Sequence, residues 1–210
     1  KGKLLPGYLN QLVDAIAVEQ QGLIDELAQL SKSVDHIKDI VSTQQSYAGA
    51  PSLKEPVQIS TLMEDALRMN AGALSRHNVT VVKHYGQVPE VLADKHRLLL
   101  IMVNLISNAK YAMSNLTDRP RQMTLTVQSL EDSTLQISVK DDGEGIPAEN
   151  MTRIFTHGFT TRKEGHGFGL HSCALAAVEM DGHLSAHSDG PGQGAIFTLT
   201  IPLTPAGSPA

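Results

Sequence analysis

Asp141-Asp142-Gly143-Glu144-Gly145-Ile146-Pro147, followed after an insert by Gly165-His166-Gly167-Phe168-Gly169-Leu170, is the stretch that decides how this chain folds. Each half spaces its glycines by one residue. The first half opens on a carboxylate directly after Leu135, Ile137 and Val139, which alternate with polar neighbours and read as a strand. The second runs straight into an apolar segment, 170–180, that reads as a helix.

Glycines let the backbone turn tightly and approach a flat ring, and a carboxylate at a strand end can accept from an exocyclic amine. Free N–H groups and the positive dipole end at a helix start suit phosphate. Two such loops in series can therefore hold a purine at one end and polyphosphate at the other. Taken alone, Asp-x-Gly-x-Gly is also a common turn. The second triplet does not follow a strand, so a dinucleotide-binding reading fails its own context.

Upstream, the segment 98–113 is apolar nearly all round yet carries Asn104 and Asn108. A four-residue spacing puts both amides on one helix face. Buried amides without partners are costly, so the pair either satisfies neighbouring backbone or points into a polar site. An amide oxygen is a hard neutral ligand suited to Mg²⁺. Between the glycine loops, Ile154-Phe155, Phe159-Thr160-Thr161 and Arg162-Lys163 place an apolar anchor before hydroxyls and cations. That is the composition of a mobile lid over phosphates, or of an ordinary amphipathic surface loop.

The 210 residues, 41% of them hydrophobic, suffice for one sizeable core and a simpler appendage. A net charge of -5 without a Lys/Arg block excludes an electrostatic footprint for nucleic acid. No apolar run approaches the ~20 residues of a membrane helix, so no membrane contact is expected within the chain. Cys173, the single cysteine, cannot form an internal disulfide, which fits a reducing compartment; a buried small hydrophobe is the plainer account. The chain begins at Lys1 without Met, which leads us to expect an excised piece whose parent could carry membrane helices upstream.

From Tyr8 to Gln45 the apolar residues recur in steps of four and three: Leu9, Ile16, Leu23, Leu30 and Ile37 in one register, Val13, Leu27, Val34 and Val41 in the other. This heptad seam predicts a helix roughly 55 Å long that seeks a partner, as in a helical bundle or coiled-coil dimer, or that folds back on its own domain. Ala48-Gly49-Ala50-Pro51 breaks it. The expected organisation is a long helix over 1–50, a globular domain over 51–204 and a flexible tail over 205–210. Thr61-x-x-Glu64 predicts a capping box at the start of a helix. The order of elements predicts an α/β (α+β) fold, a two-layer sandwich of mixed, mostly antiparallel sheet with helices on one face.

The succession Asn-x-x-x-Asn, Asp-x-Gly-x-Gly, Phe-rich lid, Gly-x-Gly-x-Gly-Leu and a late Gly192-x-Gly194 resembles the ATP-binding catalytic domain of sensor histidine kinases, within the superfamily shared with topoisomerase, chaperone and mismatch-repair ATPases. The resemblance covers 52–203. It implies that ATP and Mg²⁺ bind, with Asn104 and Asn108 as the amide pair and Asn108 on the metal. It further implies that Asp141 reads the adenine amine, that Gly143, Gly145 and Ile146 border the base, and that Tyr111 packs near it. Gly165, His166, Gly167, Phe168, Gly169 and Leu170 would line the triphosphate, and Lys163 would approach its end.

Hydrolytic members of that superfamily usually carry Glu where this chain has Asn104, and a kinase that spares ATP from water should lack such a base. His157-Gly158 departs from the usual filling of the lid. The long helix resembles the second helix of a dimerisation and phosphotransfer hairpin, which implies a homodimer, a cytoplasmic location for this part and a response regulator as partner. The phosphoacceptor His is expected before Lys1. His36 is the alternative acceptor, although Ile37 replaces the acidic neighbour that such a residue normally has. Two competing functions are a serine or protein kinase of the same superfamily and a non-catalytic ATP-binding scaffold.

Overall fold

The computed structural model describes residues 12–13, 15–16, 18–24, 26–27, 53–117, 119–130, 133–162, 165 and 167–205. The chain divides into two units, 1–44 and 45–210. Within the first, every described residue is helical and exposed, including Val13, Ile16, Leu23 and Leu27 of the predicted seam. His36 and the remaining seam positions lie outside the described residues.

The second unit runs β1 (Glu55–Val57), α1 (Ile59–Arg76), β2 (Val79–Tyr85), β3 (Val91–Ala93), α2 (Lys95–Ala112), β4 (Arg121–Leu130), β5 (Thr134–Asp141), α3 (Ala148–Met151), α4 (Gly169–Glu179), β6 (His183–His187) and β7 (Ala195–Pro202). Five strands form one sheet in the order β2-β4-β5-β7-β6, and β1 pairs with β3 in a small ribbon. Only β2 and β4 run parallel; the other pairs of the large sheet are antiparallel. The expected fold class is the one observed. Among the described residues no helix is long and apolar enough to cross a membrane.

Period-two alternation decides which face of the sheet is buried. Met123, Leu125 and Val127 of β4, Leu135, Ile137 and Val139 of β5, and Phe197, Leu199 and Ile201 of β7 point into the core, while mostly polar residues, Thr, Gln and Ser among them, occupy the other face. Helix α2 covers the inner face with Leu98, Ile101, Met102, Leu105, Ile106 and Ala109, the three-and-four spacing of one helical stripe. Full burial of each Leu, Ile or Met of this stripe stabilises the fold by about 1.5–3 kcal/mol. Asp94 caps this helix by accepting from the Arg97 N–H at 3.0 Å.

The capping box expected at Thr61 does not form. Helix α1 is capped three residues earlier, by Gln58 in extended conformation with no side-chain bond there. Glu64 instead accepts from Lys83 at 2.8 Å and from the Tyr85 hydroxyl at 3.1 Å. Pairing across to β2 has taken the carboxylate that the local pattern assigned to the helix start.

Candidate functional site

The core-facing row of β5 reads Leu135, Ile137, Val139 and then Asp141, so the same alternation that builds the core carries a carboxylate into it. Asp141 pairs with Met123 on one side and Ala195 on the other and is only 1% exposed. Its Oδ1 accepts from the Gly143 N–H at 2.8 Å, and the Ala195 N–H is a second donor. A carboxylate offers about four acceptor positions, so roughly two remain for a ligand. Burial pushes this carboxyl up to about 6; the two backbone donors oppose the rise, and the charges of Asp142 and Glu144 add to it.

The loop beyond Asp141 docks on the end of α2. The Glu144 N–H donates to the Ala112 carbonyl at 3.0 Å, and a Cβ at Gly143 would stand 2.5 Å from Asp141 Oδ1 and 2.7 Å from Ala112 Cβ. Gly145 has φ +71°, and a Cβ there would meet the Gly190 carbonyl oxygen at 2.1 Å. Only glycine fits either position. Ile146 follows, and its N–H donates to Ser188 Oγ at 3.0 Å.

On the flank of the buried stripe of α2 stand Asn104 and Asn108, two turns and one turn before Ala112, with Tyr111 next to it. Asn104 donates to the Leu100 carbonyl at 3.1 Å, and its oxygen faces the start of α4, where a Cβ on Gly169 would come within 2.8 Å. Asn108 Oδ1 accepts from the Arg162 guanidinium, which also lies 4.0 Å above the Tyr111 ring. Burial lowers the Arg162 pKa from the ordinary arginine range, and the nearby Glu144 carboxylate acts against that. The lid cation therefore joins Asn108 and Tyr111, with the carboxylate of the glycine loop near by.

Buried Ile154 and half-buried Phe155, the latter edge-on to Phe197 at 6.5 Å, anchor the lid. Arg153 lies over Phe159 at 4.7 Å. At its far end the Gly158 N–H donates to the Gly167 carbonyl at 3.2 Å. Gly167 has φ +73°, and a Cβ would meet Gly158 carbon at 2.4 Å, so the lid stem and the second glycine loop touch backbone to backbone. His157 packs against Phe168 at 4.7 Å and His171 at 5.2 Å; His171 Nδ1–H donates to the Phe155 carbonyl at 3.0 Å. No side chain caps α4, whose first residues are Gly169 and Leu170. Gly165 packs toward Thr160 Oγ1. Lys163 and His166 lie outside the described residues.

Sequence reasoning passed over Arg119 and Ser188. Arg119 Nη2 donates to the carbonyls of Asp142, Gly143 and Gly192. Ser188 Oγ donates to the Gly194 carbonyl at 2.6 Å while accepting from Ile146. The late Gly192-x-Gly194 turn thus backs the Asp141 loop. A cleft of about 500 Å³ elsewhere, lined by Gln58, Ser60, Gln87 and neighbouring apolar groups, shares no residue with this site and carries no titratable side chain.

Residues 93–205 match the family of histidine kinase-, DNA gyrase B-, and HSP90-like ATPases. The sensor histidine kinase TmoS of Ectopseudomonas mendocina is 30% identical over 184 residues, which cover 86% of this chain and 19% of TmoS. The sensor histidine kinase ZraS of Escherichia coli strain K12 is 31% identical over 186 residues, 87% of this chain and 38% of ZraS. The chain thus spans well under half the length of these relatives. Among solved structures, full-length ShkA in complex with AMPPNP superposes with a TM-score of 0.76 at 23% identity, over 91% of this chain and 40% of ShkA. The catalytic domain of the histidine kinase ThkA superposes at 0.64 and 24% identity, over 72% of this chain and 97% of that domain. Both share the fold.

Proposed function

Because the chain belongs to the family of histidine kinase-, DNA gyrase B-, and HSP90-like ATPases, we propose that it is the ATP-binding catalytic region of a two-component sensor histidine kinase. In this reading 51–204 form the catalytic domain, 1–50 the long helix of the dimerisation and phosphotransfer region, and 205–210 a tail. The observation that carries it is the buried Asp141 carboxylate, set at the end of a core strand and backed by a glycine loop that rests on the asparagine-bearing helix.

Asp141 accepts from the adenine amine, with Gly143, Gly145 and Ile146 along the edge of the base and Tyr111 near it. The start of α4, with Gly165, His166, Gly167, Phe168, Gly169 and Leu170, receives the phosphates, and Lys163 approaches their end. Asn108 fits Mg²⁺: its neutral amide oxygen already faces a cationic group in a half-buried setting. Bound there, the ion would neutralise charge on the phosphate oxygens. Asn104 bonds the Leu100 carbonyl and offers no basic group to activate water, which favours transfer over hydrolysis.

The reaction is in-line attack by a histidine ring nitrogen on the γ-phosphorus: a P–N bond forms, the β,γ-bridging P–O bond breaks, and ADP leaves with the electron pair. The phosphoryl group then passes to a response-regulator aspartate. The acceptor is a histidine of a phosphotransfer hairpin, with His36 the candidate within this chain. The exposed apolar residues Val13, Ile16, Leu23 and Leu27 support a helical partner, a second copy of the chain; the setting proposed for this part is cytoplasmic.

The test is to mix the chain with a histidine-bearing helical hairpin, Mg²⁺ and ATP labelled at the γ-phosphorus. Acid-labile label on a histidine is the expected result. Acid-stable label would make the protein a serine-type kinase, and ATP binding without any transfer would leave a non-catalytic ATP-binding scaffold.

A further inference from the structure

We propose that Arg119 is a positioning residue for adenine recognition, acting on Asp141 through the peptide group between Asp142 and Gly143. This role presupposes that Asp141 is the group that accepts from adenine.

One peptide unit connects the two side chains. Its carbonyl, that of Asp142, accepts from Arg119 Nη2 at 2.7 Å, and its N–H, that of Gly143, donates to Asp141 Oδ1 at 2.8 Å. A guanidinium on the oxygen end fixes the plane of the peptide and polarises it, so the N–H end becomes a stronger and better aimed donor to the carboxylate. The same Nη2 reaches the carbonyls of Gly143 at 3.0 Å and Gly192 at 2.8 Å. Three carbonyl dipoles converging on one point repel one another, and a delocalised cation at that point offsets the repulsion.

The two segments held by Arg119 also hold each other. The Gly192 N–H donates to the Glu144 carbonyl at 2.6 Å and the Gly194 N–H to the Gly143 carbonyl at 3.2 Å. A Cβ on Gly194 would fall 2.0 Å from the Asp141 carbonyl oxygen, so the turn lies flush against the loop. Ser188 closes the opposite side through Ile146 and Gly194. Arg119 contributes the only side-chain cation bonded to this loop among the described residues, and it does so from the solvent side, where water can replace it without opening the core. Its loss should loosen the aim of Asp141 and leave the sheet intact. All three of its hydrogen bonds end on carbonyls of the loop and the turn behind it, so its part is played through the loop.

The experiment compares the dissociation constants of ATP and GTP, each with Mg²⁺, for the wild-type chain and for Arg119→Ala, Arg119→Lys and Arg121→Ala. Arg121 is the control: it bonds the carbonyls of His77, Ser114 and Leu116, away from the base loop. Arg119→Ala should weaken ATP binding ~10-fold with GTP binding little changed, so the preference for ATP collapses. Arg119→Lys, which keeps the charge but not the planar guanidinium, should recover part of it. Arg121→Ala should lower thermal stability and keep the ATP-to-GTP ratio.

An Arg119→Ala protein that keeps the wild-type ratio, or loses both nucleotides by the same factor, overturns the proposal. Should that variant not fold, Arg119→Lys with an unchanged ratio overturns it equally. A wild-type chain that does not prefer ATP to GTP removes the reading of Asp141 itself, an outcome visible before any variant is made.

Discussion

Arg162 of the lid donates to the side-chain oxygen of Asn108 while its guanidinium lies 4.0 Å above the ring of Tyr111. The acceptor that suits a metal ion is thus already engaged by a cation of the protein itself. Closing the lid and presenting Asn108 to a metal-nucleotide are competing uses of one oxygen. A charge-assisted hydrogen bond is worth about 1.5–3 kcal/mol and an exposed cation–π contact about 0.5–1 kcal/mol. Part of that stabilisation must be given up on binding.

Arg162→Ala should therefore tighten the binding of Mg·ADP about two- to tenfold. ADP is the informative ligand because it lacks the γ-phosphate that Arg162 could contact after release. Calorimetric titration of both proteins measures the effect. Equal or weaker ADP binding by the variant would show that Asn108 is accessible without displacing the arginine.

Asp141 makes stability and binding depend on pH in opposite senses. Its carboxyl is raised from 3.8 to about 6 in the fold, so the native state favours the protonated form. The associated stabilisation is fully present below about 3.8 and is lost as pH rises through 6; a shift of two units corresponds to roughly 3 kcal/mol. The wild-type chain should gain stability relative to Asp141→Asn as pH falls from 7.5 to 5, measured by denaturant unfolding. ATP affinity should move the other way and weaken below pH 6, because a protonated carboxyl is a poorer acceptor. A pH-independent gap in stability between the two proteins would contradict the burial of this group.

Gly194 and Gly192 separate backbone strain from close contact. Both have positive φ, +68° and +78°, but a Cβ on Gly194 would meet the Asp141 carbonyl oxygen at 2.0 Å, whereas nothing lies within 4 Å of one on Gly192. Gly192→Ala should cost about 1 kcal/mol from backbone conformation alone. Gly194→Ala should cost at least about 2 kcal/mol more and reduce ATP affinity, since the loop carrying Asp141 must shift. Denaturant titrations of the two variants give the difference directly, and equal losses would mean that turn and loop do not touch.

Much of this arrangement was legible because it follows from periodicity. The alternation that buries Leu135, Ile137 and Val139 also dictates that Asp141 faces inward, and the glycines that follow mark where side chains would collide. The four-residue spacing of Asn104 and Asn108 fixed their common face in the same way. Contacts between side chains and distant backbone were not legible. Arg119 bonds carbonyls 23, 24 and 73 residues away, and no local pattern encodes such partners. The start of α1 was misplaced for a related reason: Glu64 pairs with Lys83 and Tyr85 on β2, a tertiary choice that overrides the capping signature. Arg162 stood out as a lid cation, but its engagement of Asn108, 54 positions earlier, depends on how the lid folds back.

Asp141 and Asn108 should serve one metal-nucleotide pocket. The decisive measurement titrates ATP into the wild-type chain, Asp141→Asn and Asn108→Ala, each with and without Mg²⁺. The wild type should bind saturably, Asp141→Asn should lose most affinity under both conditions, and Asn108→Ala should lose the Mg²⁺-dependent increment alone. Wild-type affinity in Asp141→Asn, or an undiminished Mg²⁺ effect in Asn108→Ala, would mean that the two side chains do not share a pocket.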